Sequence, residues 1–326
     1  MLLLTKAIVA IMIGFLFSAI LGLFLVPLLK KLRIGQKISI FVGESHRKKE
    51  GTPTMGGLIF IVPTVITTIG LIVTNKISYT SNLGIVLLVF LGYACIGFLD
   101  DFFSIRRGKN EGLTTYQKLF MQVLIAIGFF YIYMRGGGQT SWVVGTLNID
   151  VEMGWLYGLF ILFVLVGASN AVNLTDGLDG LAGGLSAIAF IAFSLISLMV
   201  GFEDIGIFSL ILAGSLIGFL IYNTHPAKVF MGDTGSLALG GVMAAIAIIT
   251  HRELTLLVVA GIFVIETLSV IIQTFWVQVF HKKLFLMTPI HHHFEKLGWP
   301  ETDIVKFFWV GGLILAMSGI IFGVWL

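Results

Sequence analysis

The chain has little of what a water-soluble protein needs. Only 11% of its 326 residues are charged, whereas 57% are hydrophobic. That balance excludes an ordinary soluble domain and implies an all-α, polytopic membrane protein. Cysteine is almost absent. The one thiol, Cys95, lies inside an apolar run, which rules out a disulfide framework and a cysteine metal centre. No polar stretch is long enough for a soluble domain, and no fixed-period repeat or low-complexity tract is visible, so residues 1–326 read as one integral-membrane domain. The first apolar run, Ala7 to Leu29, is too long for a signal-peptide core and lacks a small-residue cleavage site, so it reads as a retained span.

Crossing the roughly 30 Å of bilayer hydrocarbon takes about 20 apolar residues. Ten candidate runs appear, at about 7–29, 57–74, 83–99, 119–134, 155–172, 181–201, 206–222, 237–250, 255–280 and 304–326, some of them short at 14 to 18 residues and the ninth long enough to tilt or bend. Ten spans put both termini on one side and divide the connecting segments into two alternating sets. One set holds 16 of the 20 basic residues, running from Lys30 through Lys118 and Lys228 to Lys306, and the other holds only Lys6, Lys76, Arg135 and Arg252. The positive-inside rule makes the first set cytoplasmic and both termini external. Five acids at span ends, Asp100, Asp101, Asp176, Asp179 and Asp233, fall in that same cytoplasmic set. In the external segment Arg135 to Gly154, β-branched residues around Gly145 predict a small hairpin without chemistry of its own.

The stretch Asn173-Leu174-Thr175-Asp176-Gly177-Leu178-Asp179-Gly180 places two carboxylates between two spans. By itself it reads either as a polar hairpin loop, with Asp as a turn residue, or as a site. Its i,i+3 spacing, if the turn is helical, points both carboxylates to one side, where they can share a cation or a cation-bound phosphate. Asp100 and Asp101 close the third span. Adjacent acids there are either a solvated helix end or the carboxylates that hold Mg²⁺ or take a proton from an attacking group. In the loop Asn223 to Ser236, Asp233 and Ser236 can cap the following helix, whose N-terminus also favours a phosphate, and Phe230 can stack on a base or anchor at the interface. Lys49 closes the most basic loop, a charge run that ordinarily signals topology or attraction to anionic lipid. Thr52-Pro53-Thr54 and Gly56-Gly57 follow it and predict a fixed turn that holds Lys49 near the other loops. His291, His292 and His293 lack the i,i+4 spacing of helical zinc ligands and fit phosphate contacts or proton handling better. Glu266 and Gln273 give the ninth span a polar face, explained equally by helix–helix hydrogen bonding.

As a set, the strings Gly-Thr-Pro-Thr-Met-Gly-Gly at 51–57, Asp-Asp at 100–101, Asn-Leu-Thr-Asp-Gly-Leu-Asp-Gly at 173–180, Gly-Asp-Thr-Gly-Ser-Leu at 232–237 and Pro-Ile-His-His-His-Phe-Glu at 289–295 resemble the phospho-N-acetylmuramoyl-pentapeptide transferases. These belong to the polyprenyl-phosphate N-acetylhexosamine-1-phosphate transferase superfamily, and the histidine string separates them from siblings that use N-acetylglucosamine phosphate. The resemblance implies a bacterial inner-membrane enzyme of peptidoglycan biosynthesis with ten spans and cytoplasmic catalytic loops. Its partners would be UDP-N-acetylmuramoyl-pentapeptide, undecaprenyl phosphate and membrane lipid, its products lipid I and UMP, and its cofactor Mg²⁺. No nucleic acid is implied, and a homodimer is compatible with it. By position, Asp100 resembles the residue proposed to deprotonate the lipid phosphate, with Asp101 beside it, and Asp233 resembles the Mg²⁺ ligand. Asp176 is a second expected metal ligand. Lys49, Thr54, Asn173, Asp176, Asp179, Asn223, Phe230 and Gln273 resemble substrate-site positions, and His291, His292 and His293 complete the expected catalytic set. A transporter, by contrast, would carry acids near mid-span, where only Glu266 lies, and a purely structural scaffold leaves five acids on one face unexplained.

Overall fold

The computed structural model describes residues 3–32, 51–107, 112–144 and 149–325. Its helices are α1 (Leu3–Lys31), α2 (Leu58–Val73), α3 (Ser81–Arg107), α4 (Thr115–Arg135), α5 (Leu156–Thr175), α6 (Leu181–Met199), α7 (Glu203–Asn223), α8 (Gly232–Ile249), α9 (Glu253–Val259), α10 (Gly261–Phe280), α11 (Ile290–Lys296) and α12 (Glu301–Trp325). Among the described residues nine helices are long and apolar enough to cross a membrane, and α2, with 16 residues, is a shorter apolar one. Sixteen helical residues rise about 24 Å, less than the roughly 30 Å of hydrocarbon, so nine of the ten expected spans are matched by helices long enough to cross. Between α4 and α5 the expected hairpin is present: β1 (Ser141–Val144) pairs antiparallel with β2 (Ile149–Glu152), Ser141 opposite Glu152.

Helix α8 is the axis of the bundle. Every one of its residues except Asp233 is buried. A helix buried all round needs small side chains where neighbours cross it, because without water no hydrophobic force draws helices together and close packing must do so. A Cβ on Gly97 of α3 would sit 2.0 Å from the Asp233 carbonyl, and one on Gly240 of α8 2.2 Å from the Ala168 carbonyl of α5. These two contacts draw α3 and α5 onto α8. Large apolar side chains remain exposed on the outer helices, among them Phe24, Phe120, Phe163, Phe275 and Met317, as a lipid-facing surface requires.

One detail differs from the sequence expectation, and the bend allowed for the ninth span is present. Helix α3 continues past Asp100 to Arg107, where Arg106 and Arg107 favour the negative end of the helix dipole, so the acidic pair lies within a helix rather than at its end. The ninth span is two helices divided at Ala260. Gly261 opens the second of them, and the missing side chain leaves room for Leu315 of α12, which a Cβ would meet at 2.8 Å.

Candidate functional site

The N-terminus of α8 and the ends of α3, α4 and α5 meet at one end of the bundle. Asp100 and Asp101, consecutive on α3, point about 100° apart around the helix and go to different partners. Asp101 turns toward α8. Its carboxylate accepts from the Asp233 N–H at 3.3 Å, the Thr234 N–H at 3.0 Å and the Thr234 hydroxyl at 2.6 Å. It therefore caps, from another helix, donors that α8 cannot satisfy internally. At 3% exposure Asp101 is closed off from solution. Asp101→Ala should lower unfolding stability by about 1–3 kcal/mol, the cost of leaving such groups unpaired. Asp101→Asn, which keeps an acceptor oxygen, should recover most of it. Thermal unfolding of the detergent-solubilised full chain checks this, and equal midpoints for the two variants would count against the cap.

With the helix end capped by Asp101, the Asp233 side chain is released for other work. Its Oδ2 lies 2.6 Å from Lys118 Nζ, and its Oδ1 accepts from Asn173 Nδ2 at 2.8 Å. The same Asn173 amide reaches Ser236 Oγ at 2.8 Å. Lys118 Nζ also lies 3.0 Å from Asp100 Oδ2, while Asp100 Oδ1 accepts from the Leu113 N–H at 2.7 Å. Two carboxylates thus converge on one ammonium. Asp233 keeps 22% of its side chain exposed against 12% for Asp100, so it is the carboxylate most open to an incoming group. All the acceptors here are oxygens, the donor set that suits a hard divalent cation.

Lys118 was visible in the sequence only as a marker of topology. A local signal for its placement exists: Thr114 and Gln117 form a capping box, the Gln117 N–H bonding Thr114 Oγ1 at 3.3 Å and the Thr114 N–H bonding Gln117 Oε1 at 2.9 Å. This fixes the start of α4 and puts Lys118 in its first turn.

The Asp176–Gly180 segment is a turn between α5 and α6, not a helix, so the two acids do not share a face as the i,i+3 spacing required. The Asp176 N–H bonds the Asn173 carbonyl at 3.2 Å, which closes the end of α5. Asp179 turns toward the loop after α7. Its Oδ2 accepts from the Ala227 N–H at 3.0 Å and lies 3.1 Å from His225 Nδ1, and its own N–H donates to Glu301 Oε1 at 2.7 Å. Asp179, His225 and Glu301 are close enough together to hold a metal ion. Neither His225 nor Glu301 was singled out from the sequence, because they lie in loop and helix segments distant along the chain. Asn223 ties the same loops, accepting from the Gly180 N–H at 3.1 Å and donating to the Val229 carbonyl at 3.0 Å.

The remaining candidates lie around this centre. Thr54 is buried at 1% exposure and packs beneath Gly232, where a Cβ would sit 2.5 Å from both Thr54 Oγ1 and Asp101 Oδ2. The Phe230 backbone pairs with the Pro53–Gly57 turn: its N–H bonds the Pro53 carbonyl at 2.7 Å, and its carbonyl accepts from Gly56 at 2.8 Å. Phe230 itself is half-buried. Gln273 clamps the segment after α10, its Oε1 accepting from the Leu284 and Phe285 N–H groups at 3.0 Å and its Nε2 donating to the Phe285 carbonyl at 3.0 Å. The three histidines, successive on α11, have different partners, although the rings of His291 and His292 lie 4.2 Å apart. His291 points inward to Glu266, His292 pairs with Glu295, and His293 Nδ1 accepts from the Leu286 N–H at 3.1 Å. Lys49 lies outside the described residues.

The sequence is similar to those of known proteins. The model for glycosyl transferase family 4 matches residues 83–251, and the first signature of phospho-N-acetylmuramoyl-pentapeptide-transferases matches residues 49–61. A phospho-N-acetylmuramoyl-pentapeptide-transferase of Bacillus subtilis strain 168 is 47% identical over 317 residues, covering 97% of each chain. One of Geobacillus sp. strain WCH70 is 47% identical over 320 residues, covering 98% of each.

Proposed function

The chain belongs to the phospho-N-acetylmuramoyl-pentapeptide-transferase family, and from that premise we propose that it moves phospho-N-acetylmuramoyl-pentapeptide from UDP-N-acetylmuramoyl-pentapeptide to undecaprenyl phosphate at the end of the bundle where Asp100, Lys118, Asn173 and Asp233 meet. The observation that carries this reading is the bridge from Lys118 Nζ to Asp100 at 3.0 Å and Asp233 at 2.6 Å. In the reaction an oxygen of the acceptor phosphate bonds to the β-phosphorus of the donor, the bond from that phosphorus to the bridging oxygen breaks, and UMP leaves with that oxygen. The anions repel one another, so rate depends on positive charge already in place. Lys118 supplies a fixed one. Asp100, held by the Leu113 N–H and Lys118, is the base for a protonated acceptor phosphate. Asn173 holds Asp233 in register.

A cation fits these residues, since the Lys118 ammonium already stands between Asp100 and Asp233 as one would. Asp233 and Asp176 would hold Mg²⁺, which when bound neutralises charge on the diphosphate. Arg106, Arg107, Lys118, Lys228, Lys282 and Lys283 lie at the site's end of the chain's spans, which supports a cytoplasmic site.

An apolar cavity of about 190 Å³ supports a lipid acceptor. It lies between α5 and α10 and is lined by Phe163, Gly167, Ala171, Met243, Phe263 and Thr267 among others, and along α5 it ends at Val172, next to Asn173. Such a groove suits a polyprenyl chain whose phosphate reaches the cluster. A Cβ on Gly167 meets nothing within 4 Å, so Gly167→Leu should fold and fill the groove. Displacing about 1.4 kcal/mol of acceptor binding corresponds to a tenfold rise in its KM. That rise is expected for the polyprenyl phosphate with the donor KM unchanged, and an unchanged acceptor KM would remove the groove from the lipid's path.

The direct test is UMP release by the purified full chain. Release should require both undecaprenyl phosphate and a divalent cation and should match the lipid-linked product formed. No release with the muramoyl donor, or equal release with UDP-N-acetylglucosamine, would overturn the reading.

A further inference from the structure

Asp100, Lys118 and Asn173 come from α3, α4 and α5, and each of these helices carries a second polar side chain away from the site: Tyr93 on α3, Gln122 on α4 and Ser169 on α5. Helices α3 and α5 end at the site while α4 starts there, so positions 93, 122 and 169 all lie deeper in the bundle. Four residues advance a helix by about 6 Å and turn it about 40° past one revolution, and seven bring it to within about 20° of two revolutions. Tyr93, Gln122 and Ser169 therefore keep to the helix faces that carry Asp100, Lys118 and Asn173.

This deeper layer is tied together. Gln122 is 2% exposed and Ser169 fully buried, and Gln122 Nε2 donates to Ser169 Oγ at 3.2 Å. Ser169 Oγ in turn donates to the Val166 carbonyl at 3.0 Å. The Tyr93 hydroxyl, also buried, is turned toward Ser169 without a bond of ordinary length. Helix α8 leaves room for the layer: a Cβ on Gly240 would lie 2.5 Å from Ser169 Cα, and one on Gly241 2.8 Å from Tyr93 Cγ. An amide this deep in the bundle is costly unless paired. Its bond returns little stability, since hydrogen bonds between membrane helices are weak on average because the unpacked chain in the bilayer also finds partners. What the bond supplies is register: a donor and an acceptor meet in only one alignment, the best-attested use of buried polar groups.

We infer that Gln122 is a positioning residue for the transfer. By fixing the rotation and height of α4 against α5, one turn below Lys118 and Asn173, it holds the Lys118 ammonium where both Asp100 and Asp233 reach it, at 3.0 Å and 2.6 Å. Contacts this short are sensitive to small slides, and a misplacement of about 1 Å can cost roughly 100-fold in rate. The inference rests on the reaction proposed above and adds to it a residue that acts through Lys118 and touches no substrate.

Gln122→Met keeps the length of the side chain without its donor, and Ser169→Ala, the smaller change, removes the acceptor. Each should lower kcat for UMP release about 10-fold, short of the loss for a full 1 Å displacement. The KM values for the muramoyl donor and undecaprenyl phosphate and the unfolding midpoint should stay near those of the wild type. Gln122→Met combined with Lys118→Met should be no slower than Lys118→Met alone, because the amide acts through the ammonium. In ¹⁵N-lysine spectra of the solubilised full chain, the Lys118 ammonium signal, assigned by its loss in Lys118→Met, should shift in Gln122→Met and in Ser169→Ala. A wild-type kcat in both variants, a further loss in the combined variant or an unmoved Lys118 signal would overturn the inference. Should Gln122→Met fail to fold, Ser169→Ala decides alone. The spectra are read without turnover, so a failure of UMP release in the wild type would count against the proposed reaction, and an unmoved signal against the role of Gln122.

Discussion

Asp233→Asn should cut UMP release by about 10²- to 10³-fold, the range seen when one group stabilising transition-state charge is removed, with little change in the unfolding midpoint. The substitution is nearly isosteric. Asn can still accept from Asn173 through one oxygen, so the 2.8 Å tie to α5 survives. What disappears is the negative charge beside Lys118, now replaced by an amide facing the ammonium over the former 2.6 Å contact. Because Asp101 and not Asp233 caps α8, the helix itself has no cause to unravel. Initial rates and thermal unfolding on the same preparation separate the two effects. A full rate in Asp233→Asn would take the reacting centre away from this cluster.

Lys118→Met should be as damaging to turnover and should also destabilise. It leaves Asp100 and Asp233 facing each other with no positive charge between them. Breaking a buried pair by removing one partner costs about 3–5 kcal/mol. Lys118 keeps 28% of its side chain exposed, so solvent relieves part of this and roughly 1–3 kcal/mol is a fairer expectation. The measurement is the unfolding midpoint with and without Mg²⁺. Added cation should raise the midpoint of Lys118→Met more than that of the wild type, because it takes over the charge that the ammonium supplied, while UMP release stays depressed by about 10²-fold. Equal responses to Mg²⁺ in both chains would mean that no cation enters between the carboxylates.

The spans could be read from the sequence because about 20 apolar residues in a row have one stable use in a bilayer, and the hairpin because its β-branched residues flank a glycine. The acids could be located for the same reason: charge beside a span is costly, so each one stands out. The sequence could not show where each carboxylate points. Asp100 and Asp101 look like a pair in one dimension, but a 100° step around α3 sends one to Lys118 and the other to the start of α8. Asp176 and Asp179 look like neighbours on a helix, but glycines at 177 and 180 make the segment a turn. Gln273, read as part of a polar face, spends its amide on the backbone of Leu284 and Phe285, an arrangement that depends on how the chain leaves α10. Lys118 was hidden among basic residues whose common role is topological, and its contacts with Asp100 and with Asp233, 115 residues away, set it apart.

Asp233 and its neighbours at the start of α8, rather than the Asp179, His225 and Glu301 group, are proposed to receive the divalent cation of the reaction. The test is electron paramagnetic resonance titration of Mn²⁺ into the solubilised full chain with UMP present. One bound ion per chain is predicted, lost in Asp233→Asn and kept in His225→Gln; binding that survives Asp233→Asn but fails in His225→Gln would contradict it.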